Sequence, residues 1–272
     1  MRRPPLFVGA DTYWSERHLL GHRVSHKRWR FAQQGEREYQ QRKALAAAGR
    51  EQVIVAHATA NASRVSAFLG ELGYSVSEGL VVEVGSGAHG LIWKWPANRR
   101  IAIDPLAVFY RSAFVYLQQD NVAVLAAWGE QLPLKDAVAD IILSDNVLDH
   151  VQDPSAYLEE CARVLKPSGI LYFTVDVHHS MYWWAGVVYN ALFRLGVRAR
   201  LPAFPNHPFH FSESRVLHLL GACGFQMVLR RGGCPQRPDT ADRSSEGAVQ
   251  RSIRRLFFKN ARVEIVAKPL PR

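Results

Sequence analysis

The sequence predicts an α/β fold in which a mostly parallel sheet carries helices on both faces. Three observations lead there. From Leu80 onward, short apolar runs alternate with helix-forming stretches, the order expected when crossover helices join parallel strands. The runs are nearly continuous in apolar residues, which suits strands buried on both faces. A glycine-rich turn, Gly85-Ser-Gly87-Ala-His-Gly90, follows the first run directly.

Taken in order, residues 1–35 mix basic and aromatic residues (Tyr13, Trp14, Trp29, Phe31) without clear periodicity. Residues 36–50 are good helix formers. A second helix is expected from about Asn61, because Val65, Phe68, Leu69 and Leu72 share one helical face ahead of Gly73. Strands are predicted at 80–84, 100–103, 122–126, 139–144 and 169–175. A helix over 153–165 starts with Asp153 as N-cap ahead of Pro154 and stops before Lys166-Pro167. Segment 180–211 breaks the alternation. Its first half is strongly apolar and aromatic (Tyr182, Trp183, Trp184, Tyr189, Phe193), and its second half interleaves Pro202, Pro205 and Pro208 with His207 and His210. It reads as a lid-like insertion after the fifth strand, with a core-packed helix or a membrane- or partner-facing helix as alternatives. Phe225–Leu229 and Ala261–Val266 complete seven strands, with a mobile loop expected over 231–247. The domain reading is a basic helical extension over 1–77 and one domain over 78–272.

Composition narrows the classes. With 272 residues, 48% hydrophobic content and seven Trp, the chain is not a largely disordered protein. Cys161, Cys223 and Cys234 are odd in number and without CxxC spacing, so a disulfide scaffold is excluded and a reducing cytoplasm expected. The basic start is proline-broken and too short in apolar residues for a signal peptide. No apolar run is long enough to span a bilayer. The net charge of +10 sits at the ends: residues 1–50 and 228–272 each hold 11 Lys or Arg against 4 Asp or Glu. Such ends attract RNA or an anionic membrane surface, or serve only as solvated surface.

Asp104 ends the second strand, 19 residues after Gly85. Glycines at a strand-to-helix turn let a ligand approach the backbone, and an acid there suits ribose hydroxyls. Two details argue against a dinucleotide cofactor and its oxidoreductases. Glu83 is unwelcome beside a pyrophosphate, and Leu91–Pro96 is too short a helix to present its dipole to phosphates.

These residues resemble the class I S-adenosylmethionine-dependent methyltransferases of the "type 11" small-molecule group, over about residues 78–230. The motifs are Glu83-x-Gly85-x-Gly87, Ile103-Asp104-Pro105, Gly129-Glu-Gln-Leu-Pro-Leu134, Ala139-Asp-Ile-Ile-Leu-Ser-Asp-Asn-Val-Leu-Asp-His-Val151 and Ala162-Arg-Val-Leu-Lys-Pro-Ser-Gly169. The resemblance implies a Rossmann-like, seven-stranded sheet with an antiparallel last strand, and S-adenosylmethionine as cofactor. It implies that Glu83 faces the methionine amino group, that Gly85, Ser86 and Gly87 serve the carboxylate and ribose side, and that Asp104 takes the ribose hydroxyls. Gly129 and Glu130 fall beside the adenine, where Trp128 replaces the usual acid; either Trp128 stacks on the ring or Glu130 makes the polar contact. Asn146 lines the methyl-transfer site.

A general base is needed only when the nucleophile must lose a proton, and histidine serves near neutral pH. The candidates are His150, with a structural role as its alternative, and His207 and His210 from the insertion; His178-His179 is a weaker pair. No metal-ligand spacing is evident, so no structural metal is expected. The reading is methyl transfer to a small-molecule or saccharide acceptor, at oxygen. The alternatives are an RNA (tRNA) methyltransferase gripping phosphates with the basic ends, and a non-catalytic cofactor-binding module at a membrane.

Overall fold

The computed structural model describes residues 23–117, 121–178, 180–197, 207–235 and 261–271. The expectations for residues 1–22, for His179 and for most of the 231–247 loop lie outside them. Seven strands form one sheet in the order β3-β2-β1-β4-β5-β7-β6: β1 Leu80–Val84, β2 Arg99–Ile103, β3 Val122–Leu125, β4 Ala139–Asp145, β5 Leu165–Val177, β6 Phe225–Pro235 and β7 Ala261–Pro269. β1 to β5 pair in parallel. β7 runs antiparallel to both β5 and β6, so six strands share one direction. The predicted α/β class holds, and so does the antiparallel last strand.

The pleat explains how the two faces are filled. Val82, Val84, Ile142, Leu171 and Phe173 point to one face, against Tyr157, Leu158 and Cys161 of α4 (Pro154–Val164) and Val216 and Leu219 of α6 (Glu213–Ala222). Val81, Ala102, Ile141, Leu143 and Tyr172 point to the other, against Val65, Phe68 and Leu69 of α2 (Glu51–Glu71) and the 3₁₀ turn Leu91–Lys94. Glu83 shares the parity of Val81, so it enters the second layer beneath that turn. α3 (Ala107–Ala113) follows β2, and α5 (Ser180–Arg194) opens the insertion.

Several elements extend beyond their sequence reading. α1 runs His26–Ala47 because the Ser25 side chain accepts from the Arg28 N–H and starts it ten residues early. α2 begins at Glu51, and β6 continues to Pro235, through the start of the expected loop. Asp153 caps α4 as expected, accepting from Ser155 and Ala156 N–H, both at 3.1 Å, with Pro154 in the first turn.

Two ion pairs that involve the quoted motifs are scaffolding. Arg163 holds Glu160 through two nitrogens and reaches the carbonyls of Leu132 and Leu134, so α4 fixes the course of the Gly129–Leu134 loop. Lys166 pairs with Asp140 at 2.7 Å, and Asp140 accepts from Leu80 N–H, anchoring the starts of β4 and β1.

Candidate active site

The carboxyl ends of β1 to β4 open onto a cavity of about 590 Å³, within the range of small-molecule sites. It lies at the place where strand order reverses between β1 and β4, where open parallel sheets bind ligands. Glu83, Gly85, Ser86, Gly87, Asp104, Trp128, Gly129, Glu130, Asn146, His150 and His207 all line it. Of the expected site residues, His210 does not, nor does His178 of the weaker pair.

The glycine turn is shaped by what surrounds it. Gly85 has φ +77°, and a Cβ there would run into the methyls of Val147. Gly87 has φ +51°, yet nothing lies within 4 Å of a Cβ built on it. The first glycine is needed for its conformation and a close neighbour, the second for its conformation with open space in front of it. A Cβ on Gly90 would collide with Glu83 Oε2 and the Ser86 carbonyl.

Glu83 is fully buried. Its oxygens accept from Leu91 N–H at 3.1 Å and Ile92 N–H at 2.8 Å, capping the 3₁₀ turn. Arg100 grips the carbonyls of Ile92 and Trp95 at the other end, so a turn too short to persist alone is held at both poles. Burial pushes the Glu83 carboxyl up to about 8, against the pull of the two N–H donors. Asp104 likewise takes Gly87 N–H at 2.9 Å and Leu106 N–H at 2.8 Å, and burial raises it to about 6. Each carboxylate has about four acceptor positions, so both retain capacity toward the cavity.

At the β3 end, Trp128 is 43% exposed and stands 5.0 Å from the Trp29 ring and 5.6 Å from His26. Gly129 is glycine because the Tyr157 ring occupies the place of its Cβ. One Glu130 oxygen accepts Gln152 N–H at 2.5 Å and Asp153 N–H at 3.2 Å, so that oxygen is committed to the start of α4. Glu130 and the exposed Trp128 ring both line the cavity.

At the β4 end, Asn146 adopts φ +58°, a conformation asparagine tolerates. Its Oδ1 accepts Asp176 N–H at 2.9 Å, tying β4 to β5. His207 Nδ1 lies 2.6 Å from Asp149 Oδ2, and its ring centroid is 4.5 Å from that of His150. Asp149 is held far below the usual carboxylate range: burial pushes it up, and the two histidines beside it pull it down further. His210 is buried between His178 at 5.3 Å and Tyr182 at 5.4 Å, with Gly186 of α5 against its ring. It packs the insertion rather than facing the cavity. α5 lies on α1, where Arg28 bonds Asn190 at 3.0 Å and stands over Tyr189 and Phe193; His207 is the described residue of the insertion that reaches the cavity wall.

Sequence reasoning missed several lining residues: Trp29, Gln33, Glu36, Tyr39, Gln40 and Lys43 from α1, Asp145, and Arg262 from β7. Tyr39, Gln40 and Lys43 stand in the stretch read as helical, but no spacing says that its helix returns to cover the sheet. Arg262 reaches the site only because β7 pairs antiparallel with β5, which places it 3.1 Å from Asp176 and 3.7 Å from Asp145.

Residues 82–173 match the family model described as "Methyltransferase domain". A protein of Mycobacterium tuberculosis named as a probable S-adenosylmethionine-dependent methyltransferase is 39% identical over 74 residues, covering 26% of this chain and 27% of that one. A ubiquinone biosynthesis O-methyltransferase of Rhodopseudomonas palustris is 33% identical over 104 residues, 36% of this chain and 40% of that one. The matched segments thus span well under half of these relatives. Among solved structures, YcgJ of Bacillus subtilis superposes with a TM-score of 0.54 at 17% identity, covering 77% of this chain and 100% of that one. The geranyl diphosphate C-methyltransferase of Streptomyces coelicolor gives 0.52 at 16% identity, covering 76% and 79%. Sheet order and glycine turn agree with the family match: residues 82–173 are similar to a methyltransferase domain, on a fold shared with these solved structures.

Proposed function

We propose that the protein is an S-adenosylmethionine-dependent methyltransferase acting at an oxygen of a small-molecule or saccharide acceptor. One observation carries the cofactor assignment. Glu36, Glu83, Asp104, Glu130 and Asp145 line the cavity against Lys43 and Arg262, so acids outnumber fixed cations around the glycine turn. That balance suits a ligand with an ammonium and a sulfonium, and opposes a pyrophosphate. The open space before Gly87 gives such a ligand backbone to rest on.

Glu83 holds the amino group, Asp104 the ribose hydroxyls, and Trp128 the face of the adenine. When bound, the cofactor supplies a methyl group already activated on positively charged sulfur, which leaves the chain to align the acceptor and exclude water. The acceptor enters on the side of Asn146, His150, His207 and Arg262. The same wall supports the reading of methylation at oxygen: a hydroxyl must shed its proton to become a good nucleophile, and Asp149, His150 and His207 gather polar groups there. Calorimetric titration with S-adenosylhomocysteine, beside NAD, tests the reading. Micromolar binding of the first alone is expected; binding of NAD alone would overturn it.

A second feature favours peripheral membrane contact. α5 exposes Trp184, Val188, Leu192 and, just past its end, Leu195, a spacing that repeats along one helical face. No Asp or Glu occurs between residues 177 and 212. No helix among the described residues is long and apolar enough to cross a membrane, so the contact proposed is with the surface of an anionic bilayer. Sedimentation with phosphatidylglycerol vesicles, compared with phosphatidylcholine, should pull down the wild type and not Trp184→Ser/Leu195→Ser. Equal sedimentation of both would dismiss it. The basic ends behind the RNA alternative fall only partly within the described residues.

A further inference from the structure

The two oxygens of Asp149 are used unequally. Oδ2 is bonded to His207 Nδ1 at 2.6 Å. Oδ1 is buried without a hydrogen-bond partner among the described residues, and His150 Nε2 stands 3.8 Å from it. That gap is too long for a hydrogen bond. An orphaned buried carboxylate oxygen is costly, because the water it gave up is not replaced, and Asp149 is only 2% exposed. One donor atom from each of Asp149, His150 and His207 lies within 4.8 Å of the others. Both imidazoles line the cavity, beside Asn146 and Gln33.

We infer that Asp149, His150 and His207 form a divalent-cation site in the acceptor half of the cavity. Two imidazole nitrogens and one carboxylate oxygen suit a transition ion such as Zn²⁺, Fe²⁺ or Mn²⁺, and three protein ligands leave positions open for an exogenous oxygen. Atoms bound to one ion at about 2.1 Å stand roughly 3–4 Å apart; the 3.8 Å gap between Asp149 Oδ1 and His150 Nε2 lies in that range, and the set as a whole, within 4.8 Å, draws in on binding. Sequence spacing does not reveal this set, because His207 is distant in sequence and arrives through the insertion.

The role of the ion rests on the methyltransferase reading; its binding does not. An acceptor hydroxyl oxygen occupies an open position, where the cation lowers its pKa. The proton passes to solvent, the oxygen attacks the methyl carbon, and the carbon–sulfur bond breaks with its electron pair remaining on sulfur. The site selects acceptors bearing a hydroxyl and gives the enzyme a metal requirement.

The test uses the full chain after chelator treatment, titrated with Zn²⁺ by calorimetry and with Mn²⁺ by loss of the free-ion electron paramagnetic resonance signal. One ion per chain is expected, bound at least tenfold more weakly in Asp149→Asn and in His207→Gln. The His207 side chain is 40% exposed, so the second variant should fold even if the first does not; its melting curve checks this. Failure of both ions to bind, or wild-type affinity in His207→Gln, overturns the site. S-Adenosylhomocysteine is titrated separately into the same preparations. Metal binding without it would leave the cation site standing and the methyltransferase reading refuted, and the converse would do the opposite.

Discussion

Replacing Glu83 by Gln tests whether burial governs the centre of the site. The unfolded carboxyl titrates near 4.5, and burial lifts the folded one to about 8. Between these values the folded chain holds a proton that the unfolded chain has lost, so the unfolded state binds fewer protons and stability falls as pH rises. The contribution is fully present below pH 4.5, declines through the window and is flat above about 8. At about 1.4 kcal/mol per pH unit, the loss between pH 6 and 7.5 is about 2 kcal/mol, after allowing for partial ionisation of the folded form at the upper end. Glutamine does not titrate. It also cannot accept from both Leu91 and Ile92 N–H, which adds a destabilisation of about 1–3 kcal/mol that is independent of pH. The assay is urea unfolding followed by tryptophan fluorescence for both proteins across this range. The wild type's advantage over Glu83→Gln should shrink by about 2 kcal/mol from pH 6 to 7.5. Histidine titrations cancel in the difference. An advantage constant across the range would mean that Glu83 is ionised in the folded protein throughout, and the burial argument would fail.

Three further outcomes follow from the same geometry. If a ligand ammonium seats against Glu83, binding at pH 7 should release about one proton, because the carboxyl ionises to meet it; calorimetry in buffers of different ionisation heat reads this, and zero release would remove Glu83 from the contact. Gly85→Ala places a methyl at φ +77° against Val147; strain and overpacking together should cost about 3 kcal/mol, and an unchanged denaturation midpoint would show that the turn relaxes freely. Trp128→Ala should weaken S-adenosylhomocysteine about tenfold, in line with about 1–3 kcal/mol for aromatic–base stacking, while leaving the melting temperature nearly unchanged because the ring is 43% exposed. Unaltered affinity would return the adenine to other walls of the cavity.

The sheet was legible because its strands bury both faces and therefore read as continuous apolar runs: β1, β2 and β4 are found within a residue of their expected ends. The start of α1 was not legible, because its signal is a single Ser25 cap amid basic and aromatic residues with little periodicity. Half of the candidate site followed from chain-local features, since the glycine turn, Asp104, Trp128 and Asn146 each end a strand or follow it directly. The other half depends on topology. Lys43 and Arg262 flank the cavity only once α1 folds back and β7 inserts between β5 and β6. His207 and His210 differ by three residues and looked equivalent, yet one bonds Asp149 and the other packs under α5. Proline-rich sequence carries no period from which to choose between them.

The acids that end these strands bind the backbone before they bind anything else. Glu83 takes the N–H groups that open a 3₁₀ turn, Asp104 takes Gly87 and Leu106, and Glu130 takes the residues that open α4. Each bond fixes a loop whose position a ligand would otherwise have to organise on arrival, which is how a site on loops reaches the precision expected of a site on strands. The cost is visible in the raised carboxyls of Glu83 and Asp104, two buried acids that no basic side chain neutralises by a direct bond among their described contacts. A cationic ligand is what relieves that cost, so stability and binding should be coupled through the same two side chains. It follows that an alanine at either position removes a brace and a contact together, and a loss of affinity cannot be divided between them. Asp104→Asn divides it better, because the amide keeps one backbone acceptor while surrendering the charge: if affinity falls and the melting temperature barely moves, the carboxylate is a ligand; if both fall in proportion, it is a brace.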